Sequence, residues 1–170
     1  MNTKNLTRSA ILLAIGTILH YVVPGIVGGM KPDFLLLMMF LAILLDLNLK
    51  SAITVSVIAG VIAALTTTFP GGQIPSIIDK VVSGLFVYYI ANIFTKKYNL
   101  STIFIAAISG LGTLISGIVF LAFALKIAGL PEGISFSAMV LTVVLPTSLI
   151  TAFFSGALYG VLTRAKRAIG

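Results

Sequence analysis

Residues 101–125 read Ser101-Thr-Ile-Phe-Ile-Ala-Ala-Ile-Ser-Gly-Leu-Gly-Thr-Leu-Ile-Ser-Gly-Ile-Val-Phe-Leu-Ala-Phe-Ala-Leu125. A helix needs about 20 predominantly apolar residues to cross the hydrocarbon core of a bilayer, and this stretch supplies them without a charge. It is the fifth of six apolar segments. The others run from about Leu6 to Val23, Phe34 to Leu47, Ser51 to Phe69, Ser76 to Phe94 and Phe136 to Leu162. The second is short for a full span, so it starts deeper than its neighbours or carries Asp33 to membrane depth. Pro24, Gly25, Gly28 and Gly29 end the first, Pro70-Gly71-Gly72 ends the third, and Pro75 and Lys96-Lys97 bound the fourth. Pro146 inside the sixth predicts a kink. The first segment outruns a usual signal-peptide core and no clear Ala-x-Ala site follows, so it reads as a retained helix.

The whole composition agrees. Of 170 residues, 59% are hydrophobic and 9% charged, against about 45–50% and 25% in soluble domains; mean hydropathy is +1.18. The expectation is an all-α, polytopic membrane protein: one transmembrane domain, residues 1–170, built as a bundle of six transmembrane helices that passes several times through the cell's inner (plasma) membrane.

Net charge is +7. In a soluble chain that would suggest nucleic acid; here it is sorted by side. Lys4, Arg8, Lys50, Lys96, Lys97, Arg164, Lys166 and Arg167 fall on one face with Asp46. Lys31, Lys80 and Lys126 fall on the other with Asp33, Asp79 and Glu132. The first face nets +7 and the second zero, so both termini are expected in the cytoplasm. The expected surroundings are membrane lipid, with no nucleic-acid partner.

Several chemistries are excluded. There is no Cys and only one His, so thiolate sites and multi-His metal sites are absent, and neither a metal nor a cofactor is expected. No Walker-type phosphate loop or His-Glu-x-x-His motif occurs. Asp46 and Asp79 lie toward opposite faces, a poor catalytic dyad, and the helices lack the nucleophile, base and orienting group an enzyme needs.

The unusual chemistry sits at the outer ends. Gly28-Gly29-Met30-Lys31-Pro32-Asp33 joins segments one and two, and Phe69-Pro70-Gly71-Gly72-Gln73-Ile74-Pro75-Ser76-Ile77-Ile78-Asp79-Lys80 joins three and four. A charge at membrane depth costs about 2.5–3.5 kcal/mol on insertion scales. Acid–base pairs kept there suit each other or a zwitterion, and glycine backbone beside them lets a ligand approach closely. Plainer readings stand alongside. Ser76-x-x-Asp79 fits a capping box, Asp33 fits a helix start, and Lys31 and Lys80 can snorkel to the interface. His20, with Tyr21 beside it, is an interfacial hydrogen-bonder, a ligand contact or a proton carrier. Thr66-Thr67-Thr68 can bond a ligand or their own backbone. Tyr88 and Tyr89 read as interfacial anchors. Small residues recur at four-residue spacing in Ala10/Ala14, Ser56/Gly60/Ala64 and Ala152/Gly156/Gly160. Such spacing suits close packing inside the bundle or a docking face.

The Gly28–Asp33 string, Ala64-Leu65-Thr66-Thr67, Phe69-Pro70-x-Gly72-Gln73-Ile74-Pro75 and Asp79-Lys80 together resemble the bacterial tryptophan-transport proteins of the TrpP type. The resemblance takes in His20 and the apolar second segment and is strongest over residues 8–85. That family is similar to the S components of energy-coupling factor (ECF) transporters, six-helix proteins that capture a nutrient outside and dock on a shared transmembrane subunit driven by two ATPases. The resemblance implies tryptophan as substrate, an ECF module as partner, and Ala10 and Ala14 as its docking residues. The alternative is an autonomous ion- or proton-coupled tryptophan carrier. Lys31 or Lys80 would hold the carboxylate and Asp33 or Asp79 the ammonium. Gln73 or a threonine such as Thr67 would accept the indole N–H, and Phe34, Phe69 and Tyr21 would flank the ring.

Overall fold

The computed structural model describes residues 3–22, 33–129, 133 and 135–169. They form six helices and, among the described residues, no strand: α1 (Thr3–Val22), α2 (Phe34–Leu45), α3 (Leu49–Thr66), α4 (Gln73–Thr95), α5 (Thr102–Ile127) and α6. The last runs Phe136–Met139, then a π-helical turn over Val140–Val144, then Leu145–Ile169. Sequence neighbours pack on each other, and α6 closes the bundle against α5 and α2. The short connections from α2 through α5 make those helices alternate in direction.

The starts follow local chemistry. Asp33, Asn48, Ser101 and Ser135 each accept a backbone N–H of the first turn of α2, α3, α5 and α6, satisfying donors that have no intrahelical partner. The fourth helix departs from expectation. It begins at Gln73, not Ser76, because Pro75 fits inside the first turn, where its missing N–H costs nothing. Ser76 N instead donates to Gly72 O at 2.9 Å. The expected Ser76–Asp79 capping box therefore does not form, and Asp79 and Lys80 lie within the helix rather than in a loop.

α2 holds the centre. Every residue from Leu35 to Leu44 is buried, as a helix apolar on all sides requires. Its 12 residues reach about 18 Å at 1.5 Å per residue, short of a bilayer core of about 30 Å. The other helices wrap it. α3, α4, α5 and α6 are each long and apolar enough to cross a membrane. Their outer faces are greasy: Leu65, Ile103, Leu149 and Phe153 are all more than 70% exposed, an arrangement that lipid satisfies and water does not.

Two of the small-residue rows serve packing. A Cβ built at Gly84 of α4 would collide with Ser56 Oγ of α3, and one at Gly60 would stand 3.0 Å from the Ile77 backbone. On α6, Gly156 lets Ala106 of α5 approach to 3.2 Å of its Cβ position. Ala10 and Ala14 are different, being exposed on α1. Tyr88 is buried in the core rather than anchored at the interface, while Tyr89 is exposed. The expected irregularity near Pro146 takes the form of the π turn. Proline cannot donate a helical hydrogen bond and its ring crowds the carbonyl four residues back; Leu145 N–H reaches Val140 O in a wider turn just before it.

Candidate substrate-binding site

One end of the bundle holds a partly open cavity of about 90 Å³, several times the roughly 10–15 Å³ that one water needs. Its wall is assembled from helix ends and from the middle of α5. His20 comes from the end of α1, Asp33 and Leu36 from the start of α2, and Ala63 with Thr67, Thr68 and Phe69 from the end of α3. α4 supplies Ser76, Asp79 and Lys80, and α5 supplies Thr113, Ser116, Gly117 and Phe120. Val143, Val144 and Thr147 come from the π turn of α6 and just after it.

Three charges meet in this wall. Lys80 Nζ lies 2.7 Å from Asp33 Oδ2 and 2.9 Å from Asp79 Oδ2. Asp33 Oδ1 accepts the Leu36 N–H at 2.9 Å, so Asp33 caps α2 and pairs with Lys80 at once. Ser116 Oγ donates to Asp79 Oδ2. His20 Nδ1 stands 3.3 Å from Asp33 Oδ1 but outside hydrogen-bond geometry. It and Asp79 Oδ1 are buried without a hydrogen-bond partner among the described residues. Stripping water from such groups is costly, and mutual attraction with good hydrogen bonds is what offsets it. Lys80 is 3% exposed: it is a buried cross-link, not a lysine snorkelling to the interface.

The apolar side of the cavity is positioned by a turn. Gly72 N–H donates to Phe69 O at 3.0 Å, Pro70 takes the second position and Gly71, at φ +69°, the third, the pattern of a type II turn. The turn holds Phe69 inward, edge to face with Phe120, centroids 5.3 Å apart and planes at 83°. A Cβ at Gly72 would press on Thr67 Oγ1 at 2.7 Å, so this close return needs glycine.

Of the residues singled out from the sequence, His20, Asp33, Thr67, Asp79 and Lys80 are brought together here. Gln73 is exposed at the first position of α4, off the cavity wall. Lys31 lies outside the described residues. Thr66 Oγ1 bonds its own helix at Ile62 O, 2.8 Å away. Tyr21 points outward, 76% exposed, and Phe34 meets Phe154 edge to face at 6.4 Å; neither lines the cavity. The contributions of α5 and α6 were not anticipated. Their signal is a row of polar or bulky residues at helical spacing, Thr113, Ser116 and Phe120, on one face of an apolar helix. Among the described residues, no three His, Asp or Glu side chains are grouped to hold a metal ion.

Residues 2–167 match the family described as Tryptophan transporter TrpP. A probable tryptophan transport protein of Clostridium acetobutylicum is 42% identical over 169 residues, 99% of this chain and 97% of that one. One of Bacillus subtilis strain 168 is 42% identical over 167 residues, 98% of this chain and 95% of that one. One of Clostridium perfringens is 40% identical over 176 residues, 98% of this chain and 94% of that one. No solved structure matches the chain. With its long apolar helices and this family match over nearly its full length, the chain is a multi-pass plasma-membrane protein and belongs to the TrpP tryptophan transporter family, whose members are transport proteins and not enzymes.

Proposed function

We propose that the protein captures tryptophan at the outer face of the plasma membrane and, as a substrate-binding subunit, docks on an ECF energy-coupling module that drives uptake. The cavity carries this reading: buried charges of both signs and an aromatic corner share one partly open space. The charged end of the amino acid meets the Asp33–Lys80–Asp79 cluster, and its ring meets Phe69 and Phe120. A hydroxyl such as Thr67 accepts the indole N–H, which would discriminate against phenylalanine by leaving that acceptor unpaired.

In this reading the chain is one transmembrane domain of six spans with both termini in the cytoplasm. The described cations support that orientation. Lys4, Arg8, Lys50, Lys96, Lys97 and Arg164 all lie toward the end of the bundle away from the cavity, and positive charge stays inside. Docking is supported by α1, where Ala10 and Ala14 face outward while the small residues of α3 and α6 are used in packing. The missing ATP-binding motif fits a motor supplied by another subunit.

Labelled-tryptophan binding to the purified protein tests the substrate, and liposomes test the energy source. The expected result is binding, no uptake by the protein alone, and co-purification with ECF subunits on co-expression. Uptake driven by ΔpH in liposomes holding only this chain would replace the ECF reading with an autonomous proton-coupled carrier.

A further inference from the structure

The charges on the cavity wall do not balance. Asp33 and Asp79 bring two carboxylates and Lys80 one ammonium, and no other described Lys, Arg, Asp or Glu lines the space. The remaining titratable group, His20, faces Asp33. Asp33 is fully engaged: one oxygen caps α2 and the other takes Lys80. Asp79 is half engaged. Its Oδ2 receives both Lys80 and Ser116. Its Oδ1 is buried, in a residue 2% exposed, with no partner among the described residues. A buried acceptor left unmatched is unfavourable, more so when it is ionised. Lys80 is in the opposite condition. It already sits between two carboxylates, so a ligand carboxylate brought to it would meet two like charges at close range.

We infer that the cavity recognises its ligand through the ammonium group, with Asp79 Oδ1 as the acceptor, and that the ligand's carboxylate contributes little. The site is thus a receptor for aromatic primary amines, of which an aromatic amino acid is one. Lys80 is a positioning residue that holds Asp33 and Asp79 in place, and Ser116 fixes the Asp79 carboxylate so that Oδ1 is presented. The inference rests on the tryptophan reading above and refines it.

The test compares dissociation constants of tryptophan, tryptamine (no carboxylate) and 3-indolepropionate (no amine) for the purified full chain in lipid nanodiscs. Tryptamine is expected to bind within about tenfold of tryptophan, and 3-indolepropionate at least about a hundredfold more weakly, the range of a lost charged hydrogen bond plus an unmet buried charge. Asp79→Asn should weaken tryptophan and tryptamine together by at least about tenfold and erase the penalty on 3-indolepropionate. Should that variant fail to fold, the ranking of the three ligands on the unaltered chain decides alone. Equal loss for both analogues, or tighter binding of 3-indolepropionate than of tryptamine, would overturn the inference while leaving tryptophan as substrate. Failure of all three to bind would overturn the tryptophan reading and this inference with it.

Discussion

Lys80 is the side chain whose loss the bundle should feel most. Lys80→Met would leave Asp33 and Asp79 facing each other without the ammonium that lies between them. Breaking a buried pair by removing one partner costs about 3–5 kcal/mol, so the unfolding midpoint in detergent should fall well below that of the unaltered chain. Adding Asp33→Asn and Asp79→Asn to Lys80→Met should restore part of the loss, because the orphaned charges go with the partner. At the cavity's other side, Phe120→Ala should weaken tryptophan binding by roughly tenfold, from a lost aromatic contact of about 0.5–1.5 kcal/mol plus its buried area. Tyr21→Ala, on an outward-facing ring, should leave it unchanged; equilibrium binding with labelled ligand reads both. The charged half of this site was legible in the sequence because Asp33, Asp79 and Lys80 are conspicuous in apolar surroundings. Thr67 was legible too, but the hydroxyls that α5 and α6 contribute were not. Thr113 Oγ1 returns to Ser109 O and Ser155 Oγ to Ala152 O, the way hydroxyls satisfy themselves anywhere in a helix. Thr113 lines the cavity and Ser155 does not, and no letter in the sequence separates them.

Among the helices, the small-residue rows of α3 and α6 were readable as packing faces but not which helix each one meets; the structure sets them against α4 and α5. Gly84→Val should press directly on Ser56 and force the two helices apart. Overpacking of this kind typically costs about 1–3 kcal/mol, seen as a lowered thermal midpoint with the helix signal otherwise intact. The exposed row on α1 predicts the opposite pattern: Ala10→Trp and Ala14→Trp should leave tryptophan binding and stability unaltered but abolish uptake in cells that supply the ECF module. Unchanged uptake would argue against docking through this face. Boundaries were less legible than the helices themselves. A proline reads equally well as the end of a loop or as part of a first turn, so Pro75 placed the start of α4 three residues late. Pro146 predicts a kink, and the structure has a π turn over Val140–Val144 just before it, which relieves the same clash.

For the molecule as a whole, the absence of cysteine makes orientation directly measurable. Lys126→Cys and Lys97→Cys each place a thiol at an exposed position on opposite ends of the bundle. An impermeant maleimide applied to intact cells should label the first, and reach the second only after permeabilisation. The reversed pattern would invert the bundle. Six apolar segments made the six-helix arrangement foreseeable, and the shortness of the second foretold that α2 differs from the rest; its central place needed the structure. That place also governs how the protein comes apart. Peripheral helices can open locally and exchange their amide hydrogens without disturbing the others. A helix enclosed on every side has no such route, and its amides exchange only when the whole assembly opens. Deuterium uptake over Leu35–Leu44 should therefore be the slowest in the chain and report global stability, while α1, which packs chiefly on α2, exchanges earlier. A ligand that ties Asp33 more firmly to Asp79 would slow both clocks, and the innermost helix, which meets the cavity at Leu36 and at its Asp33 cap, would record the binding along its whole length.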